Sequence, residues 1–212
     1  TVSGTLGVKD GVLMFTFPDF AVTVEEEKKQ AADPRAAEEV KSELNEIIGL
    51  SEVKDYVLSL EQNYIIQRLR EARGMKADVP TMHMIFTGNP GTGKTTIARL
   101  VSRYLKAMGV LSGGQLIEVT RADLVGKYVG HTAPLTQQVI RSALGGVLFI
   151  DEAYSLYRGA DDSFGLEAID TIVKGMEDHR EDLIVILAGY TKEMEEFLTA
   201  NSGLRSRFPL SL

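Results

Sequence analysis

The chain has 212 residues, 44% hydrophobic and 25% charged, a globular balance that excludes a mostly disordered protein and a length suited to one α/β core with an appendage. It contains no cysteine, which excludes a disulfide framework, a thiol nucleophile and any thiolate metal site. The formal net charge of −7 leaves no overall footprint for nucleic acid or an anionic membrane. No apolar run approaches the ~18 residues of a membrane span and no basic-then-apolar signal peptide is evident, so a cytoplasmic protein is expected.

In chain order, residues 2–8 and 12–17 are β-prone, and Asp10-Gly11 between them is a hairpin-turn signal. The second run is apolar except at Thr16 and is expected to be a buried or paired strand, ended by Pro18-Asp19. Positions 24–40 turn to Glu, Lys and Ala, with Asp33-Pro34 interrupting them, and are expected to be a solvated helical linker or helix pair. After Ser51, an N-cap candidate, Val53, Val57, Leu60 and Tyr64 form one face of a long helix ending near Gly74. Beyond Pro80, apolar runs at 82–86, 115–119, 147–150 and 183–188 predict strands. Helical stretches at 95–108, 135–143 and 166–179 lie between them. This alternation, with runs apolar on both faces, predicts an α/β fold with a parallel sheet covered by helices on both sides.

Gly88-Asn89-Pro90-Gly91-Thr92-Gly93-Lys94-Thr95 matches G-x-x-x-x-G-K-[ST] in full, with an apolar strand before it and a helical stretch after it. The glycines let the backbone curl so that several N–H groups face phosphate oxygens, and the following helix adds its positive end. Asn89, Pro90, Gly91, Thr92, Gly93, Lys94, Thr95 and Thr96 are therefore the candidate ATP contacts. Lys94 is expected at the β- and γ-phosphates, and the Thr95 hydroxyl on Mg2+. A second element follows the apolar run 147–150, where Asp151 is placed to hold the metal and Glu152 to polarise the attacking water. Hydrolysis of a nucleoside triphosphate is the expected chemistry.

These residues resemble the AAA+ ATPases, with a P-loop core of a parallel sheet and helices. Ile47-Ile48-Gly49-Leu50 resembles the segment that precedes such cores, which implies that Ile48 and Gly49 contact the base. The run from Arg121 through Lys127-Tyr128-Val129-Gly130 to Ala133, with 150–156 and Leu187-Ala188-Gly189-Tyr190, is similar to the CbxX/CfqX family. That family includes red-type Rubisco activases, stage V sporulation protein K and type VII secretion ATPases. The match covers roughly 44–209, so residues 1–40 are expected to be an N-terminal extension and 41–212 the ATPase core. The resemblance implies a homo-oligomeric ring, a hexamer when assembled, acting on a client protein. It assigns Tyr128 and Val129 to a loop that grips an extended polypeptide. It also makes Arg207, or else Arg205, an arginine acting on the neighbouring subunit's nucleotide. Sensor 1 departs from the usual asparagine, and Thr191 or Tyr190 occupies its neighbourhood. By the same resemblance a small helical lid should follow, which the sequence up to Leu212 does not include; a version with that lid is expected to bind and turn over nucleotide better.

His83, His131 and His179 show no i,i+3 or i,i+4 pairing, against a zinc site. His83 is expected to be a hydrogen-bonded core residue, and His131 to help position the Tyr128 loop. Asp161-Asp162 are expected to be solvated. Met82 and Met84 are expected to be core packing, and Glu167, Asp170 and Glu177 to face water or a neighbouring subunit. Two readings remain: an ATP-driven protein remodeller, or a nucleotide-controlled scaffold with slow hydrolysis. A DNA-directed ATPase is disfavoured by the acidic balance.

Overall fold

The computed structural model describes residues 5–9, 12–16, 32–46, 51–74 and 81–208. In chain order its elements are β1 (Thr5–Lys9), β2 (Val12–Thr16), α1 (Pro34–Glu46), α2 (Ser51–Ala72), β3 (Met84–Thr87), α3 (Lys94–Ala107), β4 (Leu116–Val119), α4 (Arg121–Leu124), α5 (Thr132–Ala143), β5 (Val147–Ile150), a 3-10 turn (Ala153–Leu156), α6 (Ser163–Asp178), β6 (Ile184–Gly189), α7 (Thr191–Ala200) and α8 (Ser202–Arg205). β1 and β2 pair antiparallel with Lys9 opposite Val12. The expected turn at Asp10-Gly11, and Pro18-Asp19, lie outside the described residues.

Asp33 and Pro34 begin a helix rather than interrupt one. Asp33 Oδ1 accepts from the backbone N–H groups of Arg35 (3.0 Å) and Ala36 (3.3 Å), and Pro34 takes the first helical position, where no N–H is needed. Val40 and Leu44 are buried in the cluster that α3 also lines, and Arg103 of α3 makes a two-pronged bond to Glu43. From residue 34 onward the expected solvated linker is thus a packed helix, continuous across position 40.

β3, β6, β5 and β4 form a four-stranded sheet in that order, parallel throughout. β5 and β6 are buried along their whole lengths because both faces of the sheet are covered. Val147 and Phe149 pack with Val57, Val101 and Leu105 on one side, while Leu148 and Ile150 pack with Leu124, Ile140, Ile172 and Phe197 on the other. This is the two-residue alternation of a strand, with each buried side chain contributing about 1.5–3 kcal/mol. The carboxyl ends of the strands therefore share one edge, where parallel α/β sheets bind ligands.

Several helix starts differ from the sequence expectation for local reasons. α5 begins at Thr132, ahead of position 135, because Pro134 falls in the first turn and costs no hydrogen bond there. α6 begins at Ser163 because the Asp162 side chain accepts from the Gly165 N–H. Asp162, expected to be solvated, is instead both a helix cap and the partner of Arg121 at 2.7 Å, with side-chain exposures of 13% and 16%. The guanidinium is also what holds its carboxyl below the usual aspartate range.

His83 is a core residue, as expected, and it performs a backbone role. Its Nδ1 accepts from the Val185 N–H at 3.0 Å, extending the β3–β6 ladder with a side chain. An accepting Nδ1 requires the neutral ring, and burial lowers the pKa to about 4. Met82 and Met84 are buried in the core. Among the described residues, no helix is long and apolar enough to cross a membrane.

Candidate active site

From β3 the chain turns through residues 88–93 into α3. Gly91 and Gly93 have φ of 75° and 85°, values that cost a side-chain-bearing residue steric strain. The first N–H groups of α3 have no partner within the helix and are available to an anion at its positive end. Lys94 Nζ reaches back to donate to the carbonyls of Gly88 (2.8 Å) and Asn89 (3.0 Å), and Thr92 Oγ1 donates to Asn89 O at 2.9 Å. The loop is tied to the sheet by the Gly88 N–H, which donates to Gly189 O at 3.1 Å.

β5 delivers Asp151 and Glu152 to the same edge. The Asp151 N–H donates to Val119 O at 2.8 Å, and Asp151 Oδ1 accepts from the Glu152 N–H at 2.9 Å. Glu152 has φ 47°, the sole left-handed non-glycine among the described residues. Such a conformation costs on the order of 1 kcal/mol or more and persists only where the surroundings enforce it, commonly at functional sites.

One cleft of ≈ 520 Å³ is lined by residues 90–96 together with Asp151, Glu152, Gly189 and Tyr190. The two sequence motifs thus meet in a single cavity. Asn89 stands outside that lining and braces the loop through its carbonyl instead. Ile48 and Gly49 lie outside the described residues. Of the two sensor candidates, Tyr190 lines the cleft, whereas Thr191 is exposed at the start of α7. Tyr190 stacks on Tyr154, with ring centroids 5.7 Å apart, and Lys94 Nζ stands 6.0 Å from the Tyr190 ring centre. Burial first, then the Glu152 charge, pushes the Tyr154 hydroxyl up to about 12, so it stays protonated.

One carboxylate at this edge was missed. Thr95 Oγ1 donates to Glu118 Oε1 at 3.4 Å. The available signal was a lone acid in the apolar run Leu116, Ile117, Val119. The Thr95 hydroxyl and the Asp151 carboxylate are hard oxygen donors in one cleft, and Mg2+ is commonly held by one or two protein oxygens plus substrate phosphates. The residues present fit that ion.

The Tyr128 loop stands out from the surface, with Tyr128 68% and Val129 88% exposed. Its base is closed by two buried threonines that sequence reasoning passed over. Thr132 Oγ1 accepts from the Gly126 N–H (3.1 Å), and Thr136 Oγ1 donates to Leu124 O (2.8 Å). The His131 ring sits edge-on to Tyr128 with centroids 5.5 Å apart. Arg207 is turned onto its own chain, bonding the Glu177 carboxylate and donating to Gly203 O at 2.7 Å. Its Nε is buried without an acceptor, and Arg205 is exposed.

The family model described as ATPase family associated with various cellular activities (AAA) matches residues 84–212. The chain belongs to the AAA family. Within it this AAA protein is of the CbxX/CfqX type. It is 49% identical over 185 residues to stage V sporulation protein K of Bacillus subtilis (strain 168), covering 87% of this chain and 58% of that protein. It is 50% identical over 173 residues to protein CbbX of Cereibacter sphaeroides, covering 81% and 56%. It is also 50% identical over 163 residues to a chloroplastic ribulose bisphosphate carboxylase/oxygenase activase of Cyanidioschyzon merolae, covering 76% and 56%. The chain thus spans little more than half the length of these relatives. The crystal structure of the FIGL-1 AAA domain in complex with ADP superposes with a TM-score of 0.53 at 23% identity, over 77% of this chain and 52% of that one; the likeness is one of fold.

Proposed function

We propose that this AAA core binds ATP in the cleft between the phosphate loop and Asp151-Glu152, hydrolyses it, and uses the cycle to act on a client polypeptide through the Tyr128 loop. The observation that carries the reading is the meeting of residues 90–96 with Asp151 and Glu152 in one cavity. Lys94 exchanges its carbonyl partners for β- and γ-phosphate oxygens, and the α3 N–H groups hold the remaining phosphate charge. Thr95 and Asp151 are the residues that would hold Mg2+, whose charge would neutralise phosphate oxygens. Glu152 takes a proton from the attacking water as its oxygen bonds to the γ-phosphorus and the bond to the bridging oxygen breaks, leaving ADP and phosphate. Arg207 of an adjacent copy would stabilise charge on the γ-phosphoryl group, with Arg205 second, and Tyr190 is favoured over Thr191 as sensor 1.

The assembled form proposed is a homo-oligomeric ring, a hexamer by the family pattern. The exposed Tyr128 ring suits apolar contact with an extended chain without reading its sequence. Relatives named as activases of a carboxylase support a protein client for this chain. Phosphate release measured against protein concentration tests the reading: turnover per subunit should rise as copies assemble. Constant turnover per subunit would favour the scaffold reading, and no heat on titrating Mg-ATP would end both.

A further inference from the structure

Arg121 is the first residue of α4, the four-residue helix that leads into the Tyr128 loop. Its guanidinium faces the segment that follows Glu152. Nη1 donates to Ser155 O (3.0 Å) and Leu156 O (2.9 Å), the carbonyls at the end of the 3-10 turn, which have no partner within the turn itself. Nη1 and Nη2 also donate to the two Asp162 oxygens at 2.7 and 3.0 Å, and Asp162 caps α6. One side chain therefore joins the Glu152 turn, α6 and α4.

The packing here leaves no slack. A Cβ on Gly165 would stand 2.0 Å from Leu156 O, 2.5 Å from Asp162 Oδ2 and 2.8 Å from Arg121 Nη1. On the far side, α4 is fixed by Asp123, whose carboxylate accepts from the Thr120 N–H (2.9 Å) and hydroxyl (3.0 Å). Buried Thr132 and Thr136 then clamp the loop base onto α5. The path from Arg121 to Tyr128 is thus a short, internally bonded unit.

We infer that Arg121 is a positioning residue that couples the nucleotide site to the Tyr128 loop: it holds the turn after Glu152 in its left-handed start and passes any shift of that turn to α4 and the loop as one body. This rests on the proposed ATP site and deepens it, because it assigns the connection between hydrolysis and grip.

The chain contains no tryptophan, so Tyr128→Trp places a single indole emitter on the loop. In a Glu152→Gln background, which holds ATP without turning it over, emission from that introduced indole should differ between Mg-ATP and Mg-ADP. Adding Arg121→Met should remove most of that difference. ATP affinity, titrated separately with a fluorescent analogue, should stay within about twofold. Arg121→Lys keeps a charge but replaces the planar fork that meets both Asp162 oxygens with a single ammonium on a shorter reach, so it should lose most of the difference while folding normally. A full nucleotide-dependent emission change in a folded Arg121→Lys or Arg121→Met protein would overturn the inference, as would no change with Arg121 intact. Loss of ATP binding in the Arg121-intact protein would instead count against the ATP site itself.

Discussion

Arg207 is held by the Glu177 carboxylate of its own chain, an ion pair in which Glu177 remains 60% exposed. A pair that open to water is worth about 0–1 kcal/mol, so a phosphate on an adjacent copy can win the guanidinium from it. Glu177→Gln should therefore change unfolding free energy by less than about 1 kcal/mol and leave phosphate release equal or faster. Arg207→Ala should lower turnover by about 10³-fold or more, recovered when subunits with Arg207 are mixed in. Absence of that recovery in mixed assemblies would remove Arg207 from its trans role and leave Arg205 to be tested.

Glu152 and Lys94 share one cleft but should fail differently. Glu152→Gln keeps the loop and the metal-side residues, so Mg-ATP should still bind while turnover drops by about 10²–10⁴-fold. Lys94→Ala removes the cation aimed at the phosphates, and binding itself should be lost. Isothermal titration beside a phosphate-release assay separates the two, and equal affinities for both variants would contradict the assignment.

Tyr128→Ala should abolish work on the client, whereas Tyr128→Phe, which keeps the ring, should retain it. The readout is client remodelling at saturating ATP. Survival of remodelling in the alanine variant means that the exposed loop does not grip.

His83 predicts a pH dependence with a definite sign. Its folded pKa of about 4 lies below the unfolded value, so between about pH 6.5 and 4 the unfolded chain takes up a proton that the native ring refuses. Stability is complete above that window and falls as the pH drops through it, by roughly 3 kcal/mol at the lower end. In His83→Gln the amide oxygen can still accept from Val185, so thermal melts from pH 7 to pH 5 should show a shallower decline. Identical slopes for the two proteins would exclude His83 as the source.

Gly165→Ala should destabilise the fold by about 1–3 kcal/mol, because the new methyl meets the Leu156 carbonyl, which cannot rotate away, rather than a flexible side-chain end. Denaturant melts measure it. A neutral substitution would show that α6 and the 3-10 turn have room to separate.

Sequence alone determined the features in which chemistry and geometry are local. The phosphate loop is contiguous from Gly88 to Thr95, so its curl follows from its own glycines, and the runs at 147–150 and 183–188 announced strands buried on both faces. Helix ends were less legible: Pro34 read as an interruption, and the helix that begins at Thr132 was expected only from position 135, because a proline at a helix start and one at a helix end look alike in one dimension. The tertiary structure decided everything that joins distant positions. Thr95 meets Glu118, Arg121 reaches Asp162 and the carbonyls of Ser155 and Leu156, and Arg207 turns to Glu177. Such contacts depend on strand register and on which helix covers which face. They lie between segments whose separate sequences carry no mark of one another, so only the packed chain could bring an ordinary surface arginine or acid into a defined place.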